Sequence, residues 1–213
     1  MPLHDMTASL SARLRASLVL LAAAAAAPTV ALADDTPWLV RVRAVQLDSA
    51  DKDTTGLGLS IDDKVIPEVD VSYFFTPSFA VELVLTSPQK LSLNANGAGI
   101  GTLKALPPTL TAQYHVTGFG AFKPYVGAGL NLTRFSDVRF DPAVQAALQP
   151  SVDRTSVGWA LQAGLDWTVG PNVVVNIDVK KVRIRTDVTS AGTTVGEFRV
   201  DPWLFGVGAG WTF

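Results

Sequence analysis

The last ten residues, Leu204-Phe205-Gly206-Val207-Gly208-Ala209-Gly210-Trp211-Thr212-Phe213, alternate with a period of two. Phe205, Val207, Ala209, Trp211 and Phe213 share one face; Leu204, Gly206, Gly208, Gly210 and Thr212 share the other. Period two is the signature of a β-strand, whose successive side chains point to opposite sides. A strand of a water-soluble sandwich turns its apolar face to a dense core and polar residues to water. Here the second face is mostly glycine, which suits neither. It suits a strand whose apolar face meets lipid and whose other face lines a narrow barrel.

The same alternation recurs upstream. Trp38, Val40, Val42 and Ala44 alternate with Leu39, Arg41, Arg43 and Val45. Val65, Pro67, Val69, Val71 and Tyr73 alternate with Ile66, Glu68, Asp70 and Ser72. Phe79, Val81, Leu83 and Leu85 alternate with Ala80, Glu82, Val84 and Thr86. Further runs start near Leu106, Phe122, Val157 and Val173, and the closing strand completes eight. An even number is what a closed single-chain antiparallel barrel of the bacterial outer membrane requires. The predicted fold is therefore all-β, an eight-stranded antiparallel transmembrane β-barrel. Its connections alternate in length: short after Phe75, Val116 and Val169, long through 48–63, 87–103, 136–154 and 187–197. Short periplasmic turns and long extracellular loops give this pattern. Within the third long segment, Asp141-Pro142 before an alanine-rich stretch to Leu148 predicts a helix N-cap, N1 and a short helix.

Aromatic placement gives an independent check. If the first strand starts in the periplasm, Trp38, Tyr73, Phe79, Tyr114, Phe122, Trp167, Trp211 and Phe213 all fall near periplasmic strand ends. That is the girdle expected where lipid meets water. Trp159 and Trp203 fall toward the outer interface.

The N-terminus specifies export. Arg13 and Arg15 precede a run from Ala16 to Ala27 that is apolar except for Ser17, followed by Pro28 and Ala31-Leu32-Ala33. This reads as a secretory signal peptide over residues 1–33, with the barrel over 34–213. The run is too short for a spanning helix, which needs about 20 apolar residues. With no cysteine in the chain, a lipoprotein anchor and a disulfide scaffold are both excluded. The whole chain carries −2; Asp5, Arg13 and Arg15 in the leader contribute +1, leaving −3 for the rest. That balance argues against a nucleic-acid partner.

Several stretches resemble the OmpW/AlkL family of small outer-membrane proteins. Leu106-Pro107-Pro108-Thr109-Leu110-Thr111-Ala112-Gln113-Tyr114-His115 is the most specific, followed by Lys123-Pro124-Tyr125-Val126-Gly127-Ala128-Gly129-Leu130-Asn131. Trp159 to Asp166, Asn176 to Lys180, Asp201-Pro202-Trp203 and Trp38 to Arg41 follow the family's order along almost the whole chain after the leader. The resemblance implies an outer-membrane barrel associated with passive entry of small hydrophobic molecules. A terminal aromatic such as Phe213 also resembles the C-terminal signal through which outer-membrane proteins engage the barrel-assembly machinery.

The strand parity says what the lumen holds. An eight-stranded barrel is just wide enough for its own side chains to fill. Arg41, Arg43, Glu68, Asp70, Glu82, Asp178 and Lys180 point inward in the periplasmic half. Buried charges persist only when paired, so a salt-bridged plug is expected. Its role is either a gate or simply packing. Val45, Leu47, Ile66, Phe135, Phe198, Val200 and Leu204 face inward near the extracellular ends and form a candidate apolar solute path. Pro67, Pro107 and Pro108 lack amide donors and weaken the ladder. They mark either a candidate lateral opening beside the fourth strand or a harmless bulge. Lys181, Arg183 and Arg185 face outward by strict alternation, at the outer leaflet where lipopolysaccharide phosphates lie; a bulge at Lys180-Lys181 would turn them inward, and Arg185 reads first as a solvated charge at a loop base. Leu57, Leu59 and Ile61 are expected as exposed apolar loop residues, a funnel for solutes or a contact surface.

No enzyme is expected. His115 is the only histidine after the leader, and Thr117 rather than serine stands two residues on. Acyl transfer needs a nucleophile, a base and a third group to orient it, and no such set is present. No metal-ligand cluster or phosphate loop accompanies it, so no cofactor is expected. The glycines at 127 and 129, and at 206, 208 and 210, keep period two and are close-packing positions, not a nucleotide fingerprint. Two readings stand: a passive channel for hydrophobic solutes, and a structural or adhesive outer-membrane barrel.

Overall fold

The computed structural model describes residues 37–213; the leader over 1–33 lies outside them. In chain order the elements are β1 (Trp38–Asp48), β2 (Lys52–Asp53), β3 (Leu59–Ile61), β4 (Lys64–Phe74), β5 (Phe79–Leu85), β6 (Gln89–Ala95), β7 (Ala98–Leu106), β8 (Thr109–His115) and β9 (Phe122–Phe140). Then come α1 (Pro142–Leu148), β10 (Pro150–Val152), β11 (Thr155–Gly170), β12 (Val173–Val182), β13 (Arg185–Ser190), β14 (Thr193–Arg199) and β15 (Trp203–Thr212).

Eight of these strands form the barrel wall in the order β11-β12-β15-β1-β4-β5-β8-β9, and β9 pairs back onto β11 to close it. Closure gives each of the eight strands a partner on both sides, as a sheet that stands in lipid needs. Every pairing is antiparallel. The first and last strands meet along ten consecutive partners, from Leu39 opposite Thr212 to Asp48 opposite Trp203.

Alternation sets the two faces. Along β1 the residues from Leu39 to Leu47 with odd numbers are buried, while Trp38, Val42, Ala44, Gln46 and Asp48 are exposed. The outer surface is apolar: Val42, Leu83, Leu110, Val126, Leu130, Leu132, Leu161, Ile177, Phe205 and Val207 are all exposed. The girdle aromatics pair across strands at one end. Trp38 and Tyr73 stand opposite each other with rings 4.8 Å apart, Phe79 and Tyr114 at 5.0 Å, and Phe122 and Trp167 at 5.8 Å.

The segments expected as long loops are largely folded. β6 and β7 form a hairpin, and the sheet runs on above β9 as β9-β7-β6-β3. On the opposite side β10-β13-β14-β2 makes a four-stranded sheet. These segments continue the wall because their backbone groups need partners and their alternate residues are apolar. The same folding overturns the expected exposure of Leu59 and Ile61. Both are buried in β3, and of the three only Leu57 is exposed. The helix begins at Pro142 with Asp141 at the N-cap, though the Asp141 side chain makes no capping bond. In β9, Asp137 has a positive φ of 47°. The pairing with β7 shifts there, from Lys104 opposite Ser136 to Thr102 opposite Arg139. This one-residue bulge keeps Phe135, Val138 and Phe140 all on the inner side.

Candidate functional site

The lower lumen is a buried ion-pair network centred on β1. Arg41 is fully buried. Its Nε donates to Asp70 at 2.8 Å, one terminal nitrogen donates to Asp166 at 3.0 Å, and the other donates to Ser72 at 2.9 Å and to Glu82. Arg43, one inward step up the strand, reaches Glu68 at 2.7 Å and Asp70 at 2.9 Å, with Glu82 at 3.6 Å and Asp178 at 3.7 Å. Lys180 on β12 stands 3.6 Å from Glu68 and 3.9 Å from both Glu82 and Asp178. Five strands thus meet through side chains in the middle of the barrel: β1, β4, β5, β11 and β12. A guanidinium matches this task because its planar fork donates in several directions at once.

The wall is shaped to admit these groups. Gly210 and Gly208 on β15 stand opposite Arg41 and Arg43. A β-carbon at Gly210 would sit 2.5 Å from Cγ of Arg41, and one at Gly208 would sit 2.0 Å from the carbonyl oxygen of Val42. The glycine face of the last strand is therefore not open lumen; the two arginines occupy it. A second network seats an aromatic beneath them. The Tyr125 hydroxyl donates to Asp178 at 2.9 Å, and Asn176 donates to Asp166 at 2.7 Å. The Tyr125 ring stacks on His115 at 4.7 Å. His115 exchanges a hydrogen bond with Gln113 at 3.0 Å, as a lumen residue.

The structure places all seven expected plug residues in this network, buried. It adds Asp166, Asn176, Tyr125, Gln162 and Ser72, which also carry inward parity. Asp166 and Asn176 face each other on β11 and β12, a pairing visible only once the strands are in register. Among the described residues the network holds three cations, Arg41, Arg43 and Lys180, against five carboxylates, Glu68, Asp70, Glu82, Asp166 and Asp178.

Above this floor the lumen turns apolar. Val45 and Ile66 face each other across β1 and β4 and are buried. Leu47, Phe135, Phe198 and Val200 join one contiguous apolar cluster with Leu59, Ile61, Leu91, Leu93, Leu103, Val182 and Ile184, and Leu204 packs against its edge.

One stretch of the wall lacks a backbone ladder. The pairing of β4 with β5 stops at Val69 opposite Leu85, and that of β5 with β8 stops at Val84 opposite Thr109. Pairing resumes only at Gln89 opposite Ala105, between β6 and β7. The segment Thr86-Ser87-Pro88 therefore has no ladder to either flank, Lys64–Glu68 on one side and Leu106-Pro107-Pro108 on the other, although both flanks pair on their far sides. Two side chains bridge this margin: Thr86 donates to the Pro67 carbonyl at 2.8 Å, and Lys64 on β4 donates to the Lys90 carbonyl at 3.2 Å. On its far side the proline break is sealed. Asn131 donates to the carbonyls of Pro107 at 3.3 Å and Pro108 at 3.2 Å, and the Leu132 amide donates to Pro108 at 3.0 Å. Pro67, Pro107 and Pro108 thus border one stretch of wall, with Pro88 inside it. Ile66 lies on the lumen side of the same margin, just above Glu68.

Strict alternation holds past Lys180, with Val182 and Ile184 buried. Lys181 lies over the Trp203 ring at 5.0 Å and donates to the Asp201 carbonyl, while Arg185 is ion-paired with Asp201 at 2.9 Å.

A model described as the OmpW family matches residues 38–213. The chain is 40% identical over 188 residues to the uncharacterized outer-membrane protein y4mB of Sinorhizobium fredii, covering 84% of this chain and 80% of that protein. It is 32% identical over 162 residues to outer membrane protein W of Escherichia coli, covering 73% and 76%. Among solved structures, the crystal structure of OprG from Pseudomonas aeruginosa superposes with a TM-score of 0.73 at 25% identity, over 83% of this chain and 95% of that one.

Proposed function

The chain belongs to the OmpW family, and from that premise we propose that it carries small hydrophobic molecules passively into the outer membrane. It is a barrel of the bacterial outer membrane and belongs to a family without enzymatic activity. The observation that carries the proposal is the stacking of three features along one lumen. A layer of buried apolar side chains (Val45, Leu47, Ile66, Phe135, Phe198 and Val200, with Leu204 at its edge) stands over an ion-paired floor, and the unladdered wall at Thr86–Pro88 borders the boundary between them.

The physics gives each feature a part. A greasy solute gains free energy on leaving water for the apolar layer, about 25 cal/mol per Å² of apolar surface buried. It cannot continue downward, because passing Arg41, Arg43 and Lys180 would break buried charge pairs, each break costing about 3–5 kcal/mol. The route of least cost is sideways, where no strand ladder crosses the wall, only the Thr86–Pro67 and Lys64–Lys90 bonds need to break, and lipid accepts the solute. Pro67, Pro107 and Pro108 each remove one amide donor from that margin. Phe213 is then the signal read by the barrel-assembly machinery, and lipid with lipopolysaccharide forms the barrel's surroundings.

A structural or adhesive barrel is the competing reading. The close burial of the apolar cluster favours it. Uptake of a fluorescent hydrophobic reporter separates the two: cells making the protein should accumulate it faster than cells lacking it. Equal rates would leave the structural reading standing.

A further inference from the structure

Outward from the lumen, on the side of β6, β7 and β9, cations gather, with Asp137 paired to Lys104 and Asp62 and Asp141 lining a neighbouring cavity with Arg139. Lys90 on β6 and Lys104 on β7 are direct cross-strand partners. Both are on the outer face, between the inward-facing Gln89, Leu91, Leu103 and Ala105. Like charges directly opposite each other in an antiparallel pair repel at a Cβ separation of about 5 Å. Arg139 on β9 joins them, opposite Thr102. Lys90, Thr102, Leu103, Lys104, Asp137 and Arg139 line a shallow cavity of about 160 Å³. Asp137 is its one carboxylate, and Lys104 already holds it at 2.7 Å. Among the described residues neither Lys90 nor Arg139 has a carboxylate within 4.0 Å. Arg134, exposed on β9 opposite Leu106, extends the patch downward.

The height of the patch selects the ligand. Leu130 and Leu132 face lipid on β9, and Arg134 is the next outward position. Leu106 is the last apolar outward position on β7 before Lys104. Arg134 is level with Leu106, Lys104 and Lys90 stand one outward step higher and Arg139 one step higher again, so the cations climb from the upper rim of the apolar band into the level of lipid headgroups. On the opposite side of the barrel Arg185 is engaged by Asp201 at 2.9 Å and Glu197 at 3.7 Å, and Lys181 by Trp203 and the Asp201 carbonyl, while Arg183 between them has no carboxylate within 4.0 Å among the described residues. What sets the β6, β7 and β9 side apart is the direct cross-strand Lys90–Lys104 pair with Arg139 beside it.

We propose that the outer face of β6, β7 and β9 binds the phosphates of the phosphorylated glycolipid of the outer leaflet. Lys90, Lys104 and Arg139 converge on one phosphate group, and Arg134 reaches a second or the same headgroup from below. A phosphate seated between Lys90 and Lys104 converts a repulsive cross-strand pair into two charge-assisted contacts. This proposal stands independently of the transport reading.

The test compares thermal unfolding of the full chain in nanodiscs of phosphatidylcholine alone, with bis-phosphorylated lipid A, and with lipid A stripped of its phosphates. Phosphorylated lipid A should raise the midpoint by about 3 °C or more, the scale of a modest ligand effect in a chain of this size. The stripped lipid should not. The shift should vanish in Lys90→Gln/Lys104→Gln/Arg139→Gln and persist in Lys181→Gln. Lys90→Gln alone should lose part of it, which keeps the test open should the triple variant fold poorly. An equal shift from stripped lipid A, or one that survives both the triple and the single variant, would overturn the proposal. So would a shift reproduced by excess inorganic phosphate in plain phosphatidylcholine.

Discussion

Gly210 stands directly opposite Arg41 on adjacent strands, and a β-carbon on the glycine would lie 2.5 Å from the arginine Cγ. The closing strand and the buried cation are therefore one structural decision. The glycine exists where the guanidinium stem must pass. Gly210→Ala should destabilise the barrel by about 1–3 kcal/mol through overpacking. Gly206→Ala should be nearly neutral, because a β-carbon there meets nothing closer than 3.5 Å. Urea unfolding of the two variants in lipid vesicles measures the difference.

Removing different members of the floor should have unequal effects. Arg41→Met strips a cation from Asp70, Glu82 and Asp166 together, and should cost about 3–5 kcal/mol, the scale of a buried pair left half-made. Asp178→Asn removes one carboxylate from a cluster that has more carboxylates than cations, and the amide oxygen can still accept from Tyr125. It should cost far less. Comparing the two midpoints of unfolding checks the asymmetry.

The parity of period two made the barrel wall and the seven plug residues legible in the sequence, because every inward position on β1, β4, β5 and β12 repeats without interruption. Asp166 and Asn176 carried the same parity, but their partnership depends on register between β11 and β12, which alternation along one strand does not set. The upper wall was hidden for another reason. β3 and β6 are short, and glycine and asparagine interrupt the chain between Asn94 and Gly101, so Leu59 and Ile61 read as loop residues. The Asp137 bulge shifts the phase of β9 by one residue, so simple alternation from Phe135 would have turned Val138 and Phe140 outward. The end of the β4–β5 ladder was invisible as well. It follows from β6 turning to pair with β3, a long-range choice that no local pattern records.

Asn131 holds the proline break from the lumen side. It donates to the Pro107 and Pro108 carbonyls and to Thr109 at 2.9 Å, and accepts from Thr133 at 2.7 Å. Asn131→Leu leaves those groups buried without a partner and should cost about 1–3 kcal/mol. Amide exchange at Leu132 and Thr109 should speed up, while exchange on β15 stays unchanged.

The extracellular turn after β2 should respond to acid. The Asp53 carboxylate accepts from the Thr55 hydroxyl at 2.5 Å and from the amides of Thr55 at 2.8 Å, Gly56 at 2.9 Å and Leu59 at 3.0 Å. Those bonds, the Thr55 hydroxyl foremost, hold its pKa below the ordinary carboxylate value. A depressed folded pKa means the stabilisation is complete above the unfolded value and is lost as pH falls through the folded one. Exchange at the Thr55, Gly56 and Leu59 amides should therefore rise relative to the rest of the chain on strong acidification. Asp53→Asn should show the raised exchange at every pH.

The central claim is that hydrophobic solutes leave through the wall at Thr86–Pro88, and a reversible staple tests it most directly. The chain has no cysteine of its own, so Pro67→Cys with Ser87→Cys places a single pair across the unladdered margin. Uptake of a hydrophobic reporter is measured in cells carrying this variant, before and after reduction. The account predicts that oxidation abolishes the uptake due to the protein and that reduction restores it. Full uptake with the disulfide formed would contradict it.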